Sequence, residues 1–147
     1  MINKNMPYIY NYLQEIAWYF GSHGINGECC GELSLVEFMA LKKVCENPDN
    51  SIQEIGNALN FTKSGATRII NRLENKGYVV RENSSIDGRV CCVSTTVKGS
   101  QEMKKIMDKY TNYLDDVLNE LEPQMIENIY DVLEVLVKAL QQKKHLA

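Results

Sequence analysis

Long apolar runs and an excess of cations are missing from this chain of 147 residues, and histidine is scarce. No stretch reaches the roughly 18 consecutive apolar residues that a membrane span needs. The first twelve residues, MINKNMPYIYNY, lack the cationic start, apolar run and cleavage site of a signal peptide. We therefore expect a cytoplasmic protein that does not associate with a membrane.

Catalytic signatures are missing as well. There is no glycine-rich phosphate loop and no nucleophile with a base nearby in the sequence. Only His23 and His145 are available to a histidine-based triad or metal site. We expect neither an enzyme nor a resident cofactor. The five cysteines are an odd number, and in the cytosol they are expected to remain thiols.

The net charge of -3, from 16 basic and 19 acidic residues, first argues against a nucleic-acid partner. The charge is unevenly distributed, however. Between residues 60 and 100 there are seven basic and three acidic residues, a local charge of +4. The sequence therefore indicates a basic region carried on an acidic remainder.

Helical periodicity and capping residues divide the chain into elements. Ser34 with Glu37 and Ser51 with Glu54 have the spacing of capping boxes, and Thr62 is a third N-cap candidate. The predicted elements are helices 8–20, 35–46, 52–59 and 63–76, strands 78–81 and 90–95, and helices 97–121 and 123–144. This order predicts a mostly α fold with a small β-hairpin.

Residues 51–77 carry two short helices joined at Asn60-Phe61, which is typical of a helix-turn-helix. Gly56 in the first helix would permit close approach of the second. A helix face of small polar and basic side chains can enter the major groove, although a solvated surface helix has the same composition. The candidate DNA-binding residues are Thr62, Lys63, Ser64, Gly65, Thr67, Arg68, Asn71 and Arg72.

The turn between the two predicted strands contains Asp87-Gly88-Arg89. An arginine at the tip of a two-stranded wing can reach the minor groove, whose negative potential attracts guanidinium groups. Asp87 could orient Arg89 through a charge-assisted pair. The alternative is a salt bridge that only stabilises the turn.

The stretches SIQEIGNALNFTKSGATRIINRLENKGYVVRE and DGRVCCVSTTVKG resemble the helix-turn-helix and wing of the MarR-type (multiple antibiotic resistance regulator) winged-helix transcriptional regulators. The residues in register with the wing signature of that family are Asp87, Arg89, Thr96 and Gly99. Thr95 stands where the family usually has leucine, and Gly88 replaces a common basic residue.

The resemblance implies a single domain over residues 1–147, with a winged helix-turn-helix lobe at 32–99 and a helical dimerisation layer at 6–22 and 98–144. It also implies a homodimer that binds a pseudo-palindromic operator in double-stranded DNA, acting as a repressor released by a ligand or by cysteine oxidation. The rival interpretation is a winged-helix protein–protein module without DNA binding. Arg68, Arg72 and Arg89 argue against that module, which has no need of cations at all three positions.

Cys29-Cys30 are the candidate thiol- or metal-sensing residues. They lie in the glycine-rich loop SHGINGECCGE with His23, Glu28 and Glu32. Thiolates with imidazole and carboxylates can bind a soft or borderline metal, whose identity stays open, and adjacent thiols can be oxidised. The alternative is that the cysteines are inert, which we favour for Cys91-Cys92 in the second strand.

A small-molecule pocket is the other interpretation of the effector site. Its candidate lining residues are aromatic, imidazole and thioether side chains around the first loop, namely Trp18, Tyr19, His23, Phe38 and Met39. Aromatic and methionine side chains at helical spacing also suit an ordinary core. The effector is therefore expected to be a small molecule, a metal or an oxidant.

Overall fold

Six helices and one hairpin make up the part of the chain that the computed structural model describes, residues 1–21, 29–83 and 90–143, without the side chains of 83, 90 and 91. The elements are α1 Met6–Phe20, α2 Leu35–Glu46, α3 Ile52–Leu59, α4 Lys63–Asn75, β1 Val79–Asn83, β2 Val90–Thr95, α5 Val97–Leu118 and α6 Pro123–Gln142. They confirm the mostly α fold with a small hairpin. Contacts divide the chain into two compact units, Met1–Ile106 and Met107–Ala147.

Side-chain caps set where the central helices begin, because the first amide groups of a helix have no intrahelical partner. The Ser34 hydroxyl accepts from the Glu37 amide at 3.1 Å, and the Glu37 carboxylate accepts from the Ser34 amide at 2.9 Å. The Ser51 hydroxyl accepts from the Glu54 amide at 3.1 Å. The predicted starts of α2 and α3 are confirmed.

Helices α3 and α4 cross closely, as the helix-turn-helix prediction requires. A Cβ atom at Gly56 would lie 3.0 Å from the Cβ of Ala66, which leaves no room for a larger residue without a shift. Asn60 turns the chain between the helices with φ of 59°, in the left-handed region that asparagine tolerates. The turn therefore brings α4 across α3 within three residues.

The core of the first unit lies between α2, α3, α4 and the hairpin. Strands β1 and β2 are antiparallel, with Val79 opposite Thr95 and Arg81 opposite Val93, and an irregularity follows Glu82. The largest fully buried side chains come from all of these elements and are Leu41, Val44, Ile55, Ile70, Leu73, Val79 and Val93. This core fixes α4 relative to the hairpin.

One hydrogen-bonded junction joins the end of α4, the end of β2 and the start of α5. The Thr96 hydroxyl donates to the Gly77 carbonyl at 2.6 Å and accepts from the Gly99 amide at 3.0 Å. A Cβ atom at Gly99 would collide with the carbonyl of Tyr78. The Thr96 and Gly99 positions of the wing signature therefore have a structural explanation.

Helices α1 and α6 expose most of their apolar side chains in the single chain. In α1, Tyr8, Trp18 and Tyr19 are each more than half exposed, and α6 exposes Val132 and Val135 to a similar degree. Among the described helices, none combines the length and hydropathy needed to cross a bilayer.

Candidate nucleic-acid interface

Helix α4 has an apolar inward face and a polar, basic outward face. Ala66, Ile69, Ile70 and Leu73 are buried against α2 and α3 at helical spacing. The opposite face is consequently turned to solvent. Gly65 and Thr67 on it are half-buried, and the exposed residues are Thr62, Lys63, Ser64, Arg68, Asn71 and Arg72.

A shallow concavity on this face brings most of the predicted DNA-binding residues together. The residues that line it are Thr62, Lys63, Ser64, Thr67, Arg68 and Asn71. Arg72 is one helical turn beyond Arg68, so its Cβ lies on the same side of α4. These predicted residues of α4 therefore lie on one side of the helix.

Several hydroxyl groups at the start of α4 make hydrogen bonds within the protein. Thr62 Oγ1 accepts from the Gly65 amide at 3.0 Å and lies 3.3 Å from Ser64 Oγ. The Thr67 hydroxyl donates to the Lys63 carbonyl at 3.0 Å. The positive end of the helix dipole lies at the same surface and favours anionic groups.

Gly65 has a local structural reason for being glycine. A Cβ atom there would lie 3.0 Å from Thr62 Oγ1, the atom that caps α4. A larger residue at 65 would therefore crowd the capping hydroxyl. The cap geometry therefore accounts for glycine at position 65 without any contact to a base. A role of Gly65 in DNA binding stays a prediction.

Three basic residues between 60 and 100 point to protein groups instead of the exposed face. Lys76 Nζ lies 2.9 Å from Glu37 Oε2, and Arg81 Nε lies 3.8 Å from Glu74 Oε1. Lys98 Nζ donates to the Lys76 carbonyl at 2.8 Å. The basic residues left on the exposed face of α4 are Lys63, Arg68 and Arg72.

The carboxyl group of Glu37 is buried, and its hydrogen-bond partners favour the ionised form. Burial raises its pKa, but hydrogen bonds from Ser34 and Lys76 lower it by more, so the pKa lies below its ordinary value of 4.5. The sequence pattern predicts Glu37 only as a capping residue and does not predict its ion pair with Lys76. No local pattern links it to Lys76, because the partners are 39 residues apart.

The tip of the wing cannot be placed in the same way. Asp87 and Arg89 lie outside the described residues, between the end of β1 and the start of β2. The Asp87–Arg89 pair and the minor-groove contact of Arg89 therefore stay predictions.

Comparison with known proteins agrees with this architecture. A model of the MarR family matches residues 33–91, which contain α2, α3, α4 and β1. A solved MarR family protein from Bacillus stearothermophilus superimposes with a TM-score of 0.81 at 20% identity, over 95% of this chain and 98% of that one. Residues 33–91 therefore match a MarR family domain, and the fold of the chain is that of MarR proteins.

Two further proteins, both with names, are similar to this chain in sequence or in fold. It is 28% identical to the transcriptional repressor MprA of Escherichia coli K12 over 107 residues, 71% of this chain and 61% of MprA. Streptococcus pneumoniae FabT, solved in complex with DNA, superimposes with a TM-score of 0.66 at 21% identity, covering 95% of each chain. The relatives are transcriptional regulators and not enzymes. The family therefore supports a DNA-binding regulator over the protein–protein module.

The candidate effector-pocket residues of this protein are only partly brought together. Trp18 and Tyr19 line a groove along α1 with Asn11, Gln14 and Glu15. Phe38 and Met39 are half-buried on α2 and do not line that groove. His23 lies outside the described residues. A pocket built from all five stays a prediction.

The cysteines of this protein differ from the expectation of five free thiols. Cys29 and Cys30 are joined by a disulfide, and Cys92 is disulfide-bonded as well, so the expectation is wrong for them. The Leu33 amide donates to the Cys30 carbonyl, and Gly31 has φ of 65°. Cys45 is free and exposed.

A metal site at the same loop lacks its other predicted ligands. Within the described part of the chain, no three cysteine, histidine or carboxylate side chains are grouped to hold a metal. His23 and Glu28 lie outside the described residues. Metal sensing at Cys29-Cys30 therefore stays a prediction.

Proposed function

We propose that this MarR-family transcriptional regulator is a homodimeric repressor whose α4 helices read a pseudo-palindromic operator in double-stranded DNA. The observation that carries the proposal is the exposed polar and basic face of α4 above a buried apolar face. The name of the repressor MprA and the DNA complex of FabT support it.

Within α4, the residue types divide between bases and phosphates. Arg68 and Asn71 line the concavity and have the bidentate geometry that suits guanine and adenine edges. Lys63 and Arg72, at the two ends of the exposed face, would contact phosphates and set the register of the helix. Thr62, Ser64, Gly65 and Thr67 would shape the first turn that enters the groove.

The wing adds the second contact of each protomer. Arg89 would enter the minor groove beside the half-site, held in orientation by Asp87. The antiparallel pairing of β1 with β2 supports this, because the family's wing is a two-stranded hairpin of this kind. Arg89 would therefore report on groove width more than on base sequence.

The homodimer would form through the helices at both ends of the chain, residues 6–22 and 98–144, with 32–99 as the DNA-binding lobe. Apolar side chains exposed on α1, α5 and α6 support this layout. Replacing Leu133, exposed on α6, with glutamate should give monomers in sedimentation velocity. A variant that sediments like the wild type would place the interface elsewhere.

The release signal would act at Cys29-Cys30. The contact between their sulfur atoms favours an oxidant over a metal. Oxidation removes two electrons and two protons from the thiols, which reduce one peroxide molecule to two waters. Operator binding should be weaker after peroxide than after dithiothreitol. Cys29→Ser should abolish that difference and Cys45→Ser should keep it; equal binding in both states would leave the small-molecule pocket as the effector site.

The regulator would act in the cytoplasm, where its operator is, and by binding alone, without catalysis or a cofactor. The experiment that tests the whole proposal is selection of duplexes from a random pool by the wild-type protein, followed by gel-shift titration. Arg68→Ala should lose discrimination at one position of each half-site, and Lys138→Gln on α6 is the charge-matched control. Failure to enrich any duplex would refute the proposal.

A further inference from the structure

The ion pair between Glu37 and Lys76 joins the start of α2 to the end of α4. Glu37 is 5% exposed and is the one buried charged residue in the described part of the chain. Its Oε2 atom lies 2.9 Å from Lys76 Nζ. Burial of a carboxylate is unfavourable unless it is paired and hydrogen-bonded, so the position of Glu37 requires an explanation.

Capping of α2 does not by itself explain why Glu37 is buried. The capping box uses Oε1, which accepts from the Ser34 amide at 2.9 Å. At the start of α3, Glu54 occupies the corresponding position after Ser51 and is exposed. A carboxylate in the first turn can therefore stay in water. What distinguishes Glu37 is the second oxygen, which is directed to α4.

Lys76 is the C-cap residue directly after α4, and three other parts of the chain hold this end of the helix. Glu37 on α2 binds the Lys76 side chain, and Lys98 at the start of α5 donates to the Lys76 carbonyl at 2.8 Å. Thr96, after β2, donates to the carbonyl of Gly77. The C-terminal end of α4, opposite its capped first turn, is therefore anchored.

The length of α4 turns small rotations at this end into large displacements at the other. From residue 63 to 75 the helix is about 18 Å long, so a tilt of about 5° at its C-terminal end moves its first turn by about 1.6 Å and the backbone of Arg68 by about 1 Å. A displacement of that size breaks a hydrogen bond to a base edge, whose donor–acceptor distance is about 2.7–3.2 Å. Phosphate contacts by long, flexible cations tolerate it better.

We propose that Glu37 is a positioning residue for operator recognition, because its ion pair with Lys76 fixes the tilt of α4. The proposal rests on the function proposed above, in which α4 is the recognition helix. Loss of the pair lowers affinity for the operator more than affinity for unrelated DNA. Glu37 therefore sets specificity without touching a base.

Glu37→Gln tests this with little change in side-chain volume. The amide oxygen can still accept from the Ser34 amide, but the charge that holds Lys76 is lost. The probes are a duplex selected by the wild-type protein and an unrelated duplex of equal length, at one salt concentration. The ratio of their affinities should fall about tenfold or more, the cost of losing one well-placed base contact, while affinity for the unrelated duplex stays nearly constant.

Ser34→Ala is the matched structural control. It removes the hydroxyl that accepts from the Glu37 amide at 3.1 Å and leaves the ion pair with Lys76 in place. Its melting temperature should fall while the affinity ratio stays at the wild-type value. If both variants lose the ratio in proportion to their loss of melting temperature, Glu37 is merely structural and the proposal is wrong.

Changes at Lys76 approach the pair from its more exposed side, so they remain informative if Glu37→Gln does not fold. Lys76→Met should lower the affinity ratio, and Lys76→Arg, which keeps the charge, should restore it. A wild-type ratio in Lys76→Met would overturn the positioning role and leave the proposed function intact. Equal affinity of the wild-type protein for both duplexes would instead refute the proposed function, and this inference with it.

Discussion

The salt dependence of operator binding tests which basic residues of the DNA-binding lobe contact DNA and which are paired within the protein. The logarithm of the affinity falls with the logarithm of salt concentration by about 0.9 per phosphate neutralised. If all seven basic residues between 60 and 100 reached phosphates, a dimer would give a slope of about -13. Lys76, Arg81 and Lys98 are engaged within the protein. Four cations are left in each protomer, including Arg89. If each of them neutralises one phosphate charge, whether or not it also contacts a base or a groove, we expect about -7.

Arg72→Gln changes a cation expected to contact DNA, and Lys98→Met changes one that is engaged within the protein. Arg72→Gln removes one phosphate contact from each protomer, so the slope should become less steep by about 1.8. Between about 50 and 200 mM salt, the ratio of wild-type to variant affinity should then shrink about twelvefold. Lys98→Met should keep the wild-type slope. Its melting temperature should fall, because the bond to the Lys76 carbonyl and the contact with the Tyr78 ring, at 5.2 Å, are lost.

Fluorescence anisotropy with a labelled duplex selected by the wild-type protein, over a series of potassium chloride concentrations, gives these slopes directly. Lys138→Gln on α6 makes the same change in net charge outside the lobe and should leave the slope unchanged. The division of cations is refuted if Lys98→Met flattens the slope as much as Arg72→Gln does. A wild-type slope near -13 would refute it as well.

Three other predictions concern α3, α2 and the wing. Gly56→Ala should lower the free energy of unfolding by about 1–3 kcal/mol, because its Cβ would lie 3.0 Å from Ala66 Cβ; an unchanged urea midpoint would show that the helices can separate freely. The stabilising effect of Glu37 relative to Glu37→Gln should be complete above pH 4.5 and disappear as the pH falls through the lowered pKa of the folded state. Thermal melts at several pH values check this, and a pH-independent difference would contradict it. Arg89→Ala should weaken operator binding and flatten its salt slope, and unchanged affinity would remove Arg89 from the interface.

The start of each central helix could be predicted because its cause is local. Ser34, Ser51 and Thr62 cap the amide three residues later, and the structure contains all three bonds. The buried face of α4 was predictable for the same reason, since its spacing is that of one helix. Gly56 was informative because close helix crossing favours a residue without a side chain.

Contacts between distant parts of the chain could not be predicted. The sequence places Lys76 and Lys98 in a basic region. Only the fold shows that the Lys76 side chain pairs with Glu37 and that the Lys98 side chain donates to the carbonyl at the end of α4. The contact between the Cys29 and Cys30 sulfur atoms is another feature that composition does not determine. Helix α5 also ends at Leu118, three residues before the predicted position.

The exposed apolar faces of α1 and α6 make the stability of this protein depend on its concentration. In the proposed homodimer, a second copy covers surface that the single chain leaves in water, so association and folding are linked by mass action. Dilution then lowers the melting temperature without any change in sequence. The concentration of the protein in a cell therefore sets both the fraction of operator that is occupied and the stability of each folded chain.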